Sequence, residues 1–204
     1  LSKTGVKFYG AEYWAGQTPY VPAAILTTDI TGDEIGNITA PDLGFYGLTI
    51  RPITASDAFD FSAAAHNLNV EWCHLDLYTP VVNIATAGFT AGGAATGAKI
   101  VGNSIIADGA QGNAFVMTAT TGSLIRGNRF SNTAGSWASV ILCGAATAGL
   151  LVDNNEFFCS GTAITVGING TGATIAGGVQ VTRNLAGVLV TKLVDNFDAG
   201  ECEL

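Results

Sequence analysis

The sequence predicts an all-β chain wound as a parallel β-helix, a solenoid of about six coils behind a non-repetitive N-terminal arm. Three observations carry this expectation. The first is composition: 27 glycines stand against five prolines and one methionine, 48% of the 204 residues are apolar, and only 12% are charged. Disorder requires low hydrophobicity and high net charge, long helices favour Ala, Glu, Lys, Leu and Arg, and collagen places glycine at every third position. None of these describes the chain. The second is a motif: an apolar residue, two variable positions, Asn, one variable position, and a second apolar residue. It reads Ile100-Val-Gly-Asn103-Ser-Ile105, Ile125-Arg-Gly-Asn128-Arg-Phe130, Val152-Asp-Asn-Asn155-Glu-Phe157 and Val181-Thr-Arg-Asn184-Leu-Ala186. The third is a strand-type triplet, apolar-x-apolar, lying between the copies of that motif: Phe59/Phe61, Val82/Ile84, Phe115/Met117, Val140/Leu142, Ile164/Val166 and Val188/Val190.

Residues 1–42 lack the repeat and form the expected arm or cap. They hold Phe8, Tyr9, Tyr13, Trp14 and Tyr20, and aromatic residues of this kind are common at interfaces. Residues 43–192 are the expected solenoid. Ile50 and Ile53 around Arg51 form a degenerate first copy, and Val70-Glu-Trp-Cys73-His-Leu75 replaces the Asn by Cys. Successive triplets start 23, 33, 25, 24 and 24 residues apart. The long interval contains Gly88–Gly97, which reads as a loop inserted in one coil. A period near 24 suits coils of two or three short strands; leucine-rich repeats share the length but require leucines at fixed offsets, which are missing.

Glycine and Asn at the corners permit the positive φ of a sharp bend. An Asn amide can also bond the Asn of the next coil, so Asn103, Asn128, Asn155 and Asn184 are expected to form a structural ladder. A shift of 27 residues sets Arg126 over Asp153 and Arg129 over Glu156, and strands about 4.8 Å apart would pair them as two solvent-exposed ion pairs. Residues 193–204 read as an acidic, loosely held tail.

Eight basic residues against sixteen acidic ones give a net charge of -8 and a pI near 4.4. The cations are scattered, and neutralising phosphates requires clusters; nucleic acid is not an expected partner. No apolar run approaches the roughly 18 residues of a membrane span. Residues 1–7 contain no charged segment leading into an apolar core. Cys73, Cys143, Cys159 and Cys202 show no CxxC spacing and read as reduced, buried thiols. Cys73, His74 and His66 fall one ligand short of zinc's usual four, so no metal and no cofactor are expected.

The repeat with its Asn positions resembles the right-handed parallel β-helix of pectate lyases, polygalacturonases and phage tailspike or virion proteins, over about 150 residues. The resemblance lies in pattern and implies fold more than activity. Polygalacturonase-like members show Asn-Thr-Asp, Asp-Asp, Gly-His-Gly and Arg-Ile-Lys motifs, and none occurs here. An enzymatic reading would rest on Asp57, Asp60 and Asp76, because glycosidases need two carboxylates on one groove, with His66 or His74 as base. The leading expectation is a non-enzymatic structural protein of a phage virion, a capsid decoration or a tail or fibre module. It would lie on the virion surface and act through homo-oligomeric packing, as a trimer, and through contacts with other virion proteins. One alternative is a secreted polysaccharide-binding or polysaccharide-degrading β-helix, with Trp72 and Trp137 available to stack on sugars. The other is an ice-binding solenoid, prompted by Thr118-Ala-Thr120-Thr121, which the following coils do not continue.

Overall fold

Val70 in Asn69–Glu71, Leu75 in His74–Asp76 and Ile125 in Leu124–Arg126 are buried residues between more open neighbours. That alternation marks a half-buried strand. One such strand is too short to be stable alone, so each stacks on copies of itself in neighbouring turns. In a computed structural model the described residues are 3–10, 25–27, 36–51, 59–61, 66–76, 87–91, 95–108, 113–117, 120–134, 137–144, 146–159, 163–170, 177–198 and 202–204. They form strands and turns without a helix, arranged as a parallel β-solenoid.

Three parallel sheets make its faces. The first stacks Lys7–Tyr9, Gly44–Tyr46, Asn69–Glu71, Lys99–Val101, Leu124–Arg126, Ala148–Asp153, Gly177–Thr182 and Cys202–Glu203, with the short strands Ala95–Thr96 and Thr120–Thr121 joining beside Ala148. The second stacks Ile25–Thr27, Thr49–Arg51, His74–Asp76, Ser104–Asp108, Arg129–Ala134, Glu156–Cys159 and Leu185–Ala186. The third stacks Gly36–Ile38, Phe59–Phe61, Ala87–Ala91, Asn113–Met117, Trp137–Cys143, Ile164–Gly170 and Val190–Asp195. Four successive turns between Lys99 and Asp195 are described nearly throughout, and earlier strands bring the second and third sheets to seven strands each. Six coils is therefore a small miscount.

The difference arises at the N-terminus. Lys7–Tyr9, Ile25–Thr27 and Gly36–Ile38 pair with Gly44–Tyr46, Thr49–Arg51 and Phe59–Phe61 in turn, so the segment expected to be non-repetitive contributes a strand to every face. Its sequence hides this because the motif's Asn and its flanking apolar pair are missing there. Phe8 stacks on Phe45 with ring centres 5.2 Å apart, and Tyr9 on Tyr46 at 5.0 Å. The tail differs from expectation too: Cys202–Glu203 adds a strand to Val179–Gln180.

The third face also corrects the sequence register. Its aligned column runs Phe59, Phe89, Phe115, Ile141, Ile168 and Val194. The triplets at Val140, Ile164 and Val188 are out of step with it, and Val188 is fully exposed. These strands reach seven residues, so a three-residue pattern fits them in more than one frame. Gly88–Gly97, expected as a loop, contributes the strands Ala87–Ala91 and Ala95–Thr96; Val82 and Ile84 lie outside the described residues.

Inside the stack Phe130 lies flat on Phe157 at 5.0 Å and meets Phe115 edge-on at 5.5 Å. All three are buried, each contributing roughly 1.5–3 kcal/mol by leaving water. Cys73, Cys143 and Cys159 are buried free thiols, and burial pushes Cys73 and Cys143 up to about 12.

Candidate functional site at the ladder corner

Between the first and second faces the chain turns on one left-handed residue per coil: Gly47, Trp72, Gly102, Gly127, Asn154 and Arg183. The amide of each of the first five donates to a carbonyl one turn on, as from Gly102 to Arg126 and from Gly127 to Asp153. The residue after the bend is the ladder position. Asn103 N–H and Nδ2 both donate to Asn128 Oδ1, at 3.0 and 2.9 Å. Asn128 does the same to Asn155 (2.9 and 2.9 Å), and Asn155 to Asn184 (2.8 and 2.9 Å). Each Nδ2 also donates back to a strand carbonyl: Val70, Ile100, Ile125 and Val152 in order. The four amides thus satisfy buried backbone groups that a tight corner cannot pair with each other.

Cys73 ends the series. Its N–H donates to Asn103 Oδ1 at 2.8 Å, while its thiol reaches the Phe45 carbonyl only at 3.5 Å. Asn103 Oδ1 therefore accepts one bond from Cys73 where Asn128 Oδ1 accepts two from Asn103. Cys73→Asn should supply the missing Nδ2 donor to Asn103 Oδ1 and to Phe45 O, raising stability by about 0.5–1.5 kcal/mol. Urea denaturation checks this; a lowered midpoint would show that the site is too small for the amide.

The charges beside the ladder depart from a pair of exposed bridges. Arg129 Nε meets Glu156 at 3.8 Å, and both side chains are more than half exposed; such a pair contributes about 0–1 kcal/mol. Asp153 is different, being 1% exposed. Its Oδ2 accepts from Arg126 Nε (2.9 Å) and Arg183 Nη2 (2.5 Å), and its Oδ1 from Arg183 Nε (2.9 Å) and Thr182 Oγ1 (2.8 Å). The Arg183 bonds, helped by Thr182 and Arg126, hold its carboxyl well below the usual range against the opposing effect of burial. Sequence register pairs Asp153 with Arg126 alone, because Arg183 reaches it from the corner rather than from the aligned strand position.

The candidate acids do not assemble into an acid–base pair among the described residues. Asp57 lies outside them, and Asp60 is placed only as backbone in Phe59–Phe61. Asp76 is bound by Arg51, whose Nε and Nη2 reach its Oδ2 at 2.9 and 2.7 Å. The 25-residue separation matches the strand register of Thr49 on His74 and Ile50 on Leu75, so the pairing is readable by the same kind of shift that aligns Arg126 with Asp153. Burial, the largest influence, pulls His74 below its ordinary value, with Asp76 opposing and Arg51 reinforcing. His66 Nδ1 shares a 2.8 Å hydrogen bond with Thr96. Cys73 is buried while His74 is only partly so, and among the described residues no three His, Cys, Asp or Glu side chains gather as metal ligands.

Of the arm aromatics, Phe8 packs against the buried cluster and Tyr9 stays open on the surface; Tyr13, Trp14 and Tyr20 lie outside the described residues. The corner also holds a feature that composition does not single out. Trp72 takes a φ of 57° and is 46% exposed, a backbone state that disfavours a bulky residue by about 1–2 kcal/mol. Its signal in the sequence is position: it directly precedes Cys73, where glycine precedes Leu48, Asn103 and Asn128. Compared with protein-family models, with curated proteins and with solved structures, the chain matches none.

Proposed function

We propose that the chain is a non-enzymatic structural module that works by packing against copies of itself and against neighbouring proteins. The supporting observation is the C-terminal end of the stack. On the first face Cys202–Glu203 covers Gly177–Thr182, but on the other two faces the last strands, Leu185–Ala186 and Val190–Asp195, have a neighbour on one side only among the described residues. Leu185, Val188 and Leu189 are exposed beside these strands. Open strand edges with apolar neighbours invite pairing with another chain, and stacked-repeat proteins need a covered end for solubility. The bonded state of Asp76 and Asp153 supports the same reading, since each acid is already neutralised by arginine.

Within this reading the repeat pattern favours the pectate-lyase-like branch of β-helices, and a phage virion component, a decoration or a tail or fibre module at the virion surface, as the setting. A trimer is the assembly this predicts. Light scattering coupled to size-exclusion chromatography, at micromolar chain concentration, tests it. A homo-oligomer is expected for the wild type and dissociation for the double variant Leu185→Glu, Val188→Glu. A monodisperse wild-type monomer would overturn the reading.

A further inference from the structure

We infer that the solenoid continues from copy to copy, with the C-terminal edge of one chain docking head to tail on the N-terminal edge of a second chain. The inference rests on the self-packing proposed above and adds the surface of the partner copy that receives the open end. Among the described residues each face is open at both ends. Lys7–Tyr9, Ile25–Thr27 and Gly36–Ile38 have a strand neighbour on one side only, and so do Cys202–Glu203, Leu185–Ala186 and Val190–Asp195. Every strand pair in the stack is parallel, these six included. A second copy keeps that sense on all three faces when its N-terminal edge meets the C-terminal edge of the first. Two ends of the same kind would meet with their strands antiparallel, because the coils then circulate in opposite directions.

The rows of the first face show how the two edges match. One outward row starts at Lys7, passes through Asn69 and Leu124, and ends at Glu203. Continued into a second copy at the usual strand spacing of about 4.8 Å, this row sets Glu203 of one chain beside Lys7 of the next. Both side chains are exposed, and neither has an ion-pair partner among the described residues. Glu203 accepts an amide N–H from Gln180 at 3.0 Å, which leaves its charge uncompensated. The inward row beside it starts at Phe8, passes through Phe45 and Ile125, and reaches Val181. Leu204 directly follows Glu203, at the open end of that row, and is 83% exposed. The same register therefore lays Phe8 of the second copy on a leucine that lacks a cover. Val6 and Phe8 at one end and Cys202 at the other already pack against the buried cluster, so the apolar interior runs on across the junction.

Charge selects the polarity and the partner. Opposite charges facing each other across a strand pair attract, and like charges repel. Head-to-head contact would bring the exposed Lys3 and Lys7 of two copies together, and tail-to-tail contact would do the same with Glu203. Head-to-tail contact pairs Lys7 with Glu203. A strand from a different protein could join either edge through its backbone, but a second copy carries Lys7 and Phe8 in the register that Glu203 and Leu204 complete.

Lys7 and Glu203 belong to the first face, and Leu185 and Val188 to the second face and the turn after it, so different variants test the two contacts. The full chain is followed by light scattering and negative-stain electron microscopy as its concentration rises from micromolar to near-millimolar. A contact repeated by translation along the stack does not close, so the mean mass of the wild type should at least double over that range and rods should lengthen. Lys7→Glu alone and Glu203→Lys alone should each suppress the growth, because each sets like charges across the junction. Mixing the two variants in equal amounts should restore it, since every edge then finds an opposite charge on the other variant; a folding defect would not be rescued by mixing. The double variant Lys7→Glu, Glu203→Lys should lengthen by itself. A wild type that keeps one oligomeric mass at every concentration would overturn this inference and leave the self-packing reading standing, whereas a wild-type monomer throughout would overturn both. Growth of either single variant equal to wild type, or no growth on mixing, would also overturn the inference, and the open edges would then suit a strand from another protein.

Discussion

Asn128→Ala should destabilise the solenoid by about 3–5 kcal/mol, because the substitution strips partners from several buried groups at once. Asn128 is 1% exposed. Its Oδ1 is the acceptor for both Asn103 N–H and Asn103 Nδ2, and its own Nδ2 donates to Ile100 O and Asn155 Oδ1. Truncation leaves Asn103 N–H unpaired where it meets no water, and takes one acceptor from Asn103 Nδ2 and one donor each from Ile100 O and Asn155 Oδ1; an orphaned buried group costs about 1–3 kcal/mol and each further lost bond about 0.5–1.5 kcal/mol. Asn128→Asp separates shape from chemistry. It keeps the acceptor for Asn103 but turns an oxygen toward Ile100 O and Asn155 Oδ1, so it should be at least as damaging at neutral pH despite equal size. Asn184→Ala should lose less, because Asn184 is only partly buried and receives bonds from Asn155 without passing them on. Urea denaturation gives the order directly; equal losses at Asn128 and Asn184 would mean that the ladder does not act through burial.

The chemistry behind that order is legible in the amino-acid sequence. A corner that turns sharply inside a stack leaves backbone groups without strand partners, and Asn offers two N–H donors and a carbonyl acceptor on one short side chain. Its recurrence before an apolar residue therefore marks the corner, its register and the next coil. The first and second faces are readable for the same reason, since the ladder locks them in phase. The third face has no such residue. Its strands carry Ala, Gly and apolar residues in several equivalent frames, so periodicity alone misplaces Val140 by one residue, Ile164 by four and Val188 by six relative to the aligned Ile141, Ile168 and Val194. The N-terminal strands are hidden because their turn pairs by backbone and by Phe8 on Phe45 and Tyr9 on Tyr46, contacts between neighbours 37 residues apart by register. Trp72 is visible in the sequence as an aromatic but not as a strained one, because its φ depends on which residue each coil bends at.

Asp153→Asn should lower stability by about 2–3 kcal/mol at neutral pH, less than the about 3–5 kcal/mol typical when one member of a buried pair is removed. The discount has a geometric cause. The carboxylate is buried, but Arg126 and Arg183 are 50% and 66% exposed at their side chains, so neither cation is stranded away from water when its partner goes. What the amide cannot do is accept from both arginines and Thr182 together: one of its two terminal atoms becomes a donor, and a guanidinium or hydroxyl faces it. Acid makes the test specific. The folded carboxyl is held below its ordinary value near 3.8, so the wild type carries this contribution in full above that pH and loses it as pH falls toward the folded value. The gap in unfolding free energy between wild type and Asp153→Asn should then be constant from pH 7 to about 5 and narrow below about 4. Arg183→Gln and Arg126→Gln should each lose only part of it, with Arg183 the larger because it alone bonds both carboxylate oxygens. A gap that stays constant down to about pH 2 would show that packing, not charge, holds Asp153 in place.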